Sequence, residues 1–491
     1  MNGLPGRILT GLCGVLLAVL VAGFNENATR FALPDILGGL GLSHDDGTWL
    51  LASYAAASVC AMAFAPWLAA TFTIRRFTLC MLAAFIALGA LCPWAPNLPT
   101  LLLLRVLQGF AGGALPPMLM SVALRFLPPG IKLYGLGAYA LTATFGPSFG
   151  LPLAAWGVEY GHWPWAFWQA IPFALVAMAL VAWGLPQDPP RLERLRQLDW
   201  RGVLLGLPAL AMWVLALEQG ERLHWWHSEV IRALAGGGSL LLGLFLLNEW
   251  FHPLPLFKLQ MLRLRNLSHA LLTLGGVLFV LLAVIVIPAG FLGQVQHYRP
   301  LQTAPVLLWV ALPQWLALPL VVALMNNRWV DCRWVLALGL GLLALACWQG
   351  AQVTAAWHRE DFYPVQWLLI FAQPMAVVPL LLLATNGLQA ADGPFASAWF
   401  NTVKGFAAVA AGSALDTFAV HRLHVHSTAL VDRLGNQPLL AEAPNLAARL
   451  HQQALVLSYA DLYRAVGLLA LLLIVLIPLL PTRVYPPRAA A

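Results

Sequence analysis

The chain has 491 residues, of which 60% are hydrophobic and only 10% are charged, with 21 tryptophans. Soluble proteins carry about 25% charged residues, so this composition excludes a soluble domain and predicts a polytopic α-helical membrane protein. The formal net charge of +7 does not indicate nucleic acid as a partner, because the basic residues are scattered between apolar runs. The sequence contains no P-loop or HExxH motif, so we expect neither an ATP-driven transporter nor an enzyme, and no cofactor.

Apolar runs long enough to cross a membrane predict about fourteen spans. They lie near 8-28, 48-70, 77-95, 99-121, 134-156, 164-185, 200-218, 229-250, 268-292, 302-324, 333-350, 364-388, 397-420 and 461-481. Alternate connections together with the two termini hold sixteen Lys and Arg residues, and the opposite set holds eight. The positive-inside rule therefore predicts that both termini are cytoplasmic.

The spans divide into three parts. Residues 1-190 form a first group of six spans, which ends in a linker rich in Pro and Arg. Residues 191-255 hold a two-helix insert with cytoplasmic linkers, and 256-491 form a second group of six. The second group includes a long periplasmic loop, 421-460, within which 446–455 resembles a helix. A loop of this length is usually functional, so it is either a docking surface or an insertion without a role.

The first span turns polar at Asn25 and Glu26. An ionisable group near a span is a functional candidate, because charge is costly in hydrocarbon; the alternative is that Glu26 lies in water at the end of the span. The fourth span carries Arg105 and Gln108, nearly two helical turns in, where we expect the arginine to face the bundle. Glycines in the same span allow close helix packing, at Gly109, Gly112 and Gly113.

Further polar residues lie in later spans and are candidates for the substrate cavity or for gating, namely Gln373, Asn401 and Lys404. Lys404 either faces the cavity or extends towards the cytoplasmic side. Asp416 follows it by about 18 Å of helix, too far to pair with it, and is either a proton-coupling group or an outer interfacial residue. Glu218 ends its span and is interpreted as interfacial. The spacing of His421, His424 and His426 disfavours a metal site.

Two motifs in this chain resemble signature motifs of the major facilitator superfamily. The first is R-x-x-Q-G-x-x-x-G, which starts at Arg105, and the second is G-P-x-x-G, formed by Gly146, Pro147 and Gly150. Three further matches narrow the resemblance to the fourteen-span drug:proton antiporters, in particular the EmrB-like members. They are Ala32-Leu33-Pro34, Leu256-Phe257 and Asn401-x-x-Lys404.

The resemblance implies two six-helix bundles plus two extra helices, and alternating access around a central cavity. It implies proton-driven export of small hydrophobic or amphipathic compounds across the lipid bilayer of a bacterial inner membrane. Arg105 would link protonation to the conformational change, and the G-P-x-x-G residues would form a kinked interface between spans. In EmrB-like members the long loop goes with a periplasmic adaptor, so a tripartite pump with an outer-membrane channel is expected.

The chain also departs from the family pattern. The family places an aspartate where this chain has Asn25, and the carboxylate is displaced by one residue to Glu26, a rotation of about 100° on a helix. In this chain the loop after the second span lacks the acid that the family has there, and Lys404 stands where the family usually has an arginine. Two other functions stay open on this basis, an uptake permease of the same fold and a membrane scaffold or sensor without transport.

Overall fold

The computed structural model describes residues 6–128, 132–160, 162–327, 329–385, 392–434 and 445–479, and the regular structure in these ranges is helical throughout. The first part contains α1 (Gly6–Phe31), α2 (Leu33–Leu40), α3 (His44–Phe72), α4 (Ile74–Leu91), α5 (Leu98–Gly113), α6 (Leu115–Phe126), α7 (Lys132–Tyr160), α8 (Trp165–Trp168) and α9 (Ile171–Gly184). The middle contains α10 (Trp200–Gln219) and α11 (Glu229–Phe251). The last part contains α12 (Arg265–Gln294), α13 (Pro300–Ala311), α14 (Gln314–Met325), α15 (Cys332–Gly350), α16 (Arg359–Thr385), α17 (Gly393–Leu434) and α18 (Leu446–Leu476).

Within these described ranges, thirteen helical segments are long and apolar enough to cross a membrane. Three of them join consecutive helices, α5 with α6, α8 with α9, and α13 with α14. The expected fifth span, 134-156, is α7, which is not among the thirteen but is 29 residues long. It packs against both α1 and α13, so it occupies the place of a span within the bundle.

Proline and polar caps set where these helices begin and break. The chain bends between α5 and α6, where Pro116 and Pro117 start the new helix, because proline cannot donate the backbone hydrogen bond that would continue the old one. α3 begins at a capping box, in which Ser43 and Asp46 each accept the other's backbone N–H. Such caps satisfy amide groups that the helix itself leaves unpaired.

The two groups of helices meet along two interfaces. α7 packs against α13, α14 and α16, while α17 packs against α3 and α6. The inserted helix α10 lies against both α3 and α17. Ser413 Oγ donates a hydrogen bond of 2.7 Å to the carbonyl of Leu217, and Thr48 Oγ1 donates one of 3.2 Å to Gln219. The insert therefore contacts both groups, and the division at 190 and 255 stays a prediction.

The last two long helices correct the expected bounds of the spans 397-420 and 461-481. α17 has 42 residues, about 63 Å at 1.5 Å per residue, which is about twice the thickness of the hydrocarbon core. Residues 421–434 continue α17 and 446–460 belong to α18, so these parts of the expected loop are helical, as was predicted for 446–455. Residues 435–444 lie outside the described ranges. The two helices are joined by Asp461, which accepts hydrogen bonds from Arg422 and Arg464.

Candidate substrate and proton pathway

Arg105 lies in the interior of the first group. Asn97 caps the start of α5 by accepting the Thr100 N–H at 3.0 Å, which places Arg105 two turns into the helix. The side chain is fully buried. Its Nη1 donates to Gln108 Oε1 at 2.7 Å and to Asn25 Oδ1 at 3.3 Å, and its guanidinium lies 4.1 Å from the centre of the Tyr54 ring.

The side-chain hydrogen bonds of this buried arginine go to amides, whereas the usual partner of a buried cation is a carboxylate. No ion pair within the described ranges includes Arg105, and its Nε and Nη2 have no hydrogen-bond partner there. Asn25 is also fully buried, and its amide nitrogen makes no hydrogen bond. Since buried charges are normally paired, Arg105 depends for its compensation on the Tyr54 ring and on the charge of Glu26, with which it forms no direct ion pair in the described ranges.

Glu26 faces a different environment from Asn25 and belongs to a cluster of charges. Glu26 is half-buried and interacts electrostatically with Arg30, Glu218 and Arg105. Arg30 in turn interacts with Glu218 and Asp416. We call Glu26, Arg30, Glu218 and Asp416 the gap cluster. Sequence reasoning selected Glu26 and Asp416 but interpreted Glu218 as interfacial and counted Arg30 only in the topology.

The gap cluster is contributed by three helices from different parts of the chain. Glu26 and Arg30 belong to α1, Glu218 to α10 and Asp416 to α17. α1 and α17 are not among the helix pairs that pack extensively in the part of the chain that the structure describes. The electrostatic interactions of Arg30 with Glu26, Glu218 and Asp416 bring the charges of these three helices near one another, and Arg105, which also acts on Glu26, lies buried in the first group.

Asn401 and Lys404 connect α17 with α7. Asn401 Oδ1 accepts a hydrogen bond of 2.7 Å from the Tyr139 hydroxyl, and Lys404 Nζ donates one of 2.8 Å to Thr142 Oγ1. The ammonium also lies 4.9 Å from the centre of the Tyr139 ring. Both predicted residues thus lie on the interface between the two groups of helices. Tyr139 and Thr142, which hold them, were missed because neither stands out in the sequence.

The glycines of the two motifs mark close helix approaches. A Cβ atom at Gly113 would lie 2.3 Å from the carbonyl oxygen of Ser58, and one at Gly109 would lie 2.5 Å from that of Tyr54. α5 can therefore approach the backbone of α3 this closely only where it has no side chains. Gly112 faces the hydroxyl of Tyr54, 2.8 Å from such a Cβ.

The G-P-x-x-G motif lies on the face of α7 that meets α1. A Cβ atom at Gly150 would lie 3.3 Å from Asn27 Nδ2 and 3.6 Å from the Cα of Phe24. One at Gly146 would lie 3.3 Å from a methyl group of α1. Pro147 stands between them inside the helix. The motif therefore packs beside the segment of α1 that carries Asn25 and Glu26, and its role in antiport stays a prediction.

Gln373 is buried in α16 and has an exposed fraction of 1%. Neither of its amide atoms has a hydrogen-bond partner within the described ranges. Because a buried amide without a partner costs free energy, Gln373 remains a candidate for contact with a polar ligand or water.

Two neighbouring cavities of about 700 and 680 Å³ lie at the end of the bundle where the 185–199 linker runs, and together we call them the linker vestibule. The first is lined by Pro66, Trp67, Pro190, Arg191, Leu192, Glu193, Arg194, Gln197, Leu254, Leu256, Pro394, Phe395 and Ala398. The second is lined by Pro66, Ala69, Ala70, Thr73, Ile74, Ser121, Leu124, Arg125, Lys132, Asp188, Pro189, Arg191, Arg194, Gly393 and Pro394.

The linker vestibule has an excess of positive charge. Its lining includes Arg125, Lys132, Arg191 and Arg194, and Asp188 forms an ion pair of 2.7 Å with Arg125. Partial burial lowers the pKa of Arg194, and the charge of the neighbouring Arg191 lowers it further. Sequence reasoning treated this segment as a linker only, because its folding back as a wall of the vestibule depends on tertiary contacts.

The comparisons with known proteins agree with this architecture. The family model described as "Major Facilitator Superfamily" matches residues 15–413. The chain belongs to the major facilitator superfamily. Its members are transporters, so this superfamily protein is a transporter and not an enzyme. With its many membrane-crossing helices it is a multi-pass inner-membrane protein.

Two bacterial proteins are similar over most of their length. The chain is 25% identical over 446 residues to "Multidrug export protein EmrB" of Haemophilus influenzae, covering 87% of this chain and 84% of that protein. It is 26% identical over 457 residues to "Fatty acid resistance protein FarB" of Neisseria gonorrhoeae, covering 89% and 86%. The predicted family resemblance, to EmrB-like members of the superfamily, is confirmed.

Solved structures of the superfamily share the fold. The proton:xylose symporter XylE superposes with a TM-score of 0.55 at 14% identity, covering 98% of this chain and 97% of that one. The human organic anion transporter MFSD10 superposes with a TM-score of 0.58 at 16% identity, covering 94% and 99%. The all-α major facilitator fold predicted from the sequence is therefore confirmed, while the cytoplasmic placement of the termini stays a prediction.

Proposed function

We propose that this transporter exports small hydrophobic or amphipathic compounds across the inner membrane, driven by the inflow of protons. The observation that carries the proposal is the gap cluster, in which carboxylates from both groups of helices interact with Arg30, and the buried Arg105 also acts on Glu26. Proton-driven alternating access needs a group that changes charge where the two halves meet. The relatives named for multidrug export and fatty acid resistance support export of such compounds.

The gap cluster offers a physical mechanism for coupling. Protonation of Glu26 removes one negative charge from a set in which Arg30 is attracted to three carboxylates. The electrostatic interaction between the two groups of helices then changes in strength. This shifts the equilibrium between the inward- and outward-facing states. Arg105 lies close enough to sense the charge on Glu26, so it can transmit the change into α5.

The long helices α17 and α18 support a partnership with a periplasmic adaptor and an outer-membrane channel. With both termini in the cytoplasm, as the distribution of Arg and Lys predicts, the end of α17 beyond Asp416 projects into the periplasm. Asp461 accepts hydrogen bonds from Arg422 of α17 and Arg464 of its own helix. This ionic contact stiffens the projecting pair of helices, as a surface for an adaptor requires.

Efflux from cells tests the proposal. Cells that express the wild-type protein should expel a fluorescent amphipathic dye, and a protonophore should abolish the efflux. Arg105→Ala should abolish it too, because the coupling cation is lost. Arg359→Ala is the matched control, since within the described ranges this arginine pairs with the adjacent exposed Glu360 alone, and it should expel the dye like the wild type.

Three results would contradict the proposal. Efflux that survives in Arg105→Ala, or that persists without a proton gradient, would exclude coupling through this site. Dye accumulation under an imposed gradient would indicate an uptake permease instead. A protein that binds an adaptor but moves no substrate in proteoliposomes would be a scaffold.

A further inference from the structure

Asp199 and Glu249 form a pair of buried acids where the two inserted helices begin and end. Asp199 comes directly before α10, and Glu249 lies in the last turn of α11. Their exposed fractions are 4% and 0%. A Cβ atom at Gly202 would lie 2.5 Å from Asp199 Oδ2 and 2.5 Å from Glu249 Oε1, so the two oxygens converge on one point. The two side chains are hydrogen-bonded to each other. This bond requires a proton, because ionised carboxylates only accept hydrogen bonds.

No base neutralises these two acids in the part of the chain that the structure describes. None of the ion pairs found there includes Asp199 or Glu249. The charge that acts on Glu249 is that of Asp199. Two adjacent carboxylates that are both out of water cannot both stay ionised without a cation.

The charged groups on the neighbouring elements are engaged elsewhere or lie far away. α11 packs against α10 and the turn 259–263, and α10 packs against α3 and α17. Lys258 is paired with Asp392 at 2.7 Å, and Lys404 of α17 donates its hydrogen bond to α7. The charged groups of α3 and of the connection between α10 and α11 lie at the opposite end of these helices. The other basic residues near the pair in sequence are Arg194, Arg196, Arg201, His252 and Arg263.

The helix ends decide which acid holds the proton. Asp199 caps α10, because its Oδ1 accepts the Gly202 N–H at 2.9 Å, and Asn248 donates a second hydrogen bond to its Oδ2. The N-terminus of a helix stabilises a negative charge. Glu249 lies at a helix C-terminus, which disfavours one, and no N–H donates to its Oε1 within the described ranges. The proton therefore belongs on Glu249, which donates it to Asp199.

Glu249 also holds the chain segment that leaves the insert. Its Oε2 accepts the Phe257 N–H at 2.7 Å. The Phe257 ring packs edge-on against Trp399 of α17, with ring centres 4.9 Å apart. Trp399 Nε1 in turn donates to the carbonyl of Lys258 at 3.3 Å. Two leucines of the segment 254–258 line the linker vestibule. The acid pair thus connects the insert to the vestibule wall and to the start of α17.

We propose that Asp199 and Glu249 share a single proton, which holds the ends of α10 and α11 together and fixes the segment 254–258 as a wall of the linker vestibule. When hydroxide removes this proton from Glu249, two adjacent buried carboxylates remain. Their repulsion separates the two helix ends and loosens the segment. The insert therefore carries a pH-sensitive contact that is distinct from the gap cluster. It needs neither a substrate nor a gradient, so it does not depend on the proposed function.

The pH dependence of stability tests the shared proton. Glu249→Gln presents an amide N–H to Asp199 and cannot ionise at high pH. Between about pH 6 and about pH 9, the melting temperature of the full-length wild type in detergent should fall by at least about 2 °C more than that of Glu249→Gln, because the neutral acid stabilises the fold only while it is protonated. An equal fall in the two proteins would overturn the proposal.

Glu193→Gln is the matched control for this comparison. Glu193 lies in the same linker, is exposed, and belongs to none of the ion pairs in the described ranges. Its variant should follow the pH dependence of the wild type. If Glu193→Gln flattened the pH dependence as much as Glu249→Gln, the effect would belong to general surface charge, and the proposal would be overturned.

Infrared spectroscopy detects the proton without relying on stability. The difference spectrum of the wild type minus Glu249→Gln, recorded at about pH 7, should contain the C=O stretch of a protonated carboxyl group, and the band should vanish at about pH 9. A difference spectrum without this band at the lower pH would overturn the proposal.

Amide hydrogen exchange tests the effect of the proton on the vestibule wall. Exchange in the segment 254–258 should be at least about threefold faster in the wild type than in Glu249→Gln at about pH 9, and equal in the two proteins at about pH 6. Equal exchange at both pH values would overturn the link between the acid pair and this segment.

A metal cation could neutralise the same pair, and one arm of the experiment separates it from a proton. Sodium or magnesium chloride, compared with choline chloride at equal ionic strength, should leave the melting temperature of the wild type unchanged. Stabilisation by either metal ion that is lost in Glu249→Gln would assign the pair to a cation and overturn the proposal. Loss of dye efflux in Arg105→Ala bears on the proposed function alone, since Arg105 has no contact with this pair in the described ranges.

Discussion

Asn25→Asp should stabilise this protein, and the gain should depend on Arg105. The substitution places a carboxylate where the amide oxygen now accepts a 3.3 Å hydrogen bond from Arg105 Nη1. Both side chains are fully buried, and Arg105 has no ion-pair partner in the described part of the chain. The new carboxylate would therefore compensate a charge that is already buried, at the position where the family resemblance predicts an aspartate.

The size of the effect follows from this distance. Two unit charges 3.3 Å apart attract by about 5 kcal/mol at an effective dielectric constant of about 20. Burying the carboxylate costs several kcal/mol, so the free energy of unfolding should rise by about 1 to 2 kcal/mol. In an Arg105→Ala background the same carboxylate has no cation beside it, and only the cost of burial remains. Asn25→Asp should then destabilise the protein.

A double-mutant cycle measures this dependence. The free energies of unfolding of the wild type, the two single variants and the double variant are compared in the same detergent. We expect a coupling energy of about 2 kcal/mol or more, at the upper part of the range for residues in direct contact. A coupling energy near zero, or destabilisation of the same size in both backgrounds, would refute the contact between Asn25 and Arg105.

Two further predictions concern packing and the projecting helices. Gly113→Ala should lower the thermal stability in detergent markedly, because its Cβ would lie 2.3 Å from a backbone oxygen of α3; Gly412→Ala, which meets nothing within 4 Å, should melt like the wild type, and equal stability of the two variants would contradict the close approach. Asp461→Asn should speed amide hydrogen exchange near the contact with Arg422, because the ion pair is lost. Glu360→Gln removes an exposed ion pair between adjacent residues and should leave amide exchange near Arg422 unchanged. Equally fast exchange near Arg422 in both variants would count against a stiffening role for Asp461.

The helices and the burial of Arg105 were accessible from the sequence because each depends on local pattern. Long apolar runs predict spans, and the proline at the start of α5 fixes how deep Arg105 lies. The gap cluster was only partly accessible, since the nearness of Glu26 and Glu218 depends on where the insert packs. Roughly 190 residues separate them, and no periodicity reports such a contact.

The extension of α17 is indicated by the positions of glycine and proline, although the hydropathy of the segment does not predict it. Residues 421–434 are too polar for a span and were therefore interpreted as loop. No glycine or proline occurs between 413 and 434, and Gly435 follows directly. The absence of helix breakers permits the helix to continue through polar sequence, and α17 does continue to Leu434.

Simultaneous measurement of substrate and proton movement in proteoliposomes tests the central claim most directly. With the dye gradient as the only driving force, transport of the dye by the wild type should move protons in the opposite direction, seen with a pH indicator inside the vesicles. Glu26→Gln should reduce or abolish this proton movement, because the half-buried carboxylate beside Arg30 is lost. Dye transport without proton movement, proton movement in the same direction as the dye, or unchanged coupling in Glu26→Gln would contradict proton-driven export through the gap cluster.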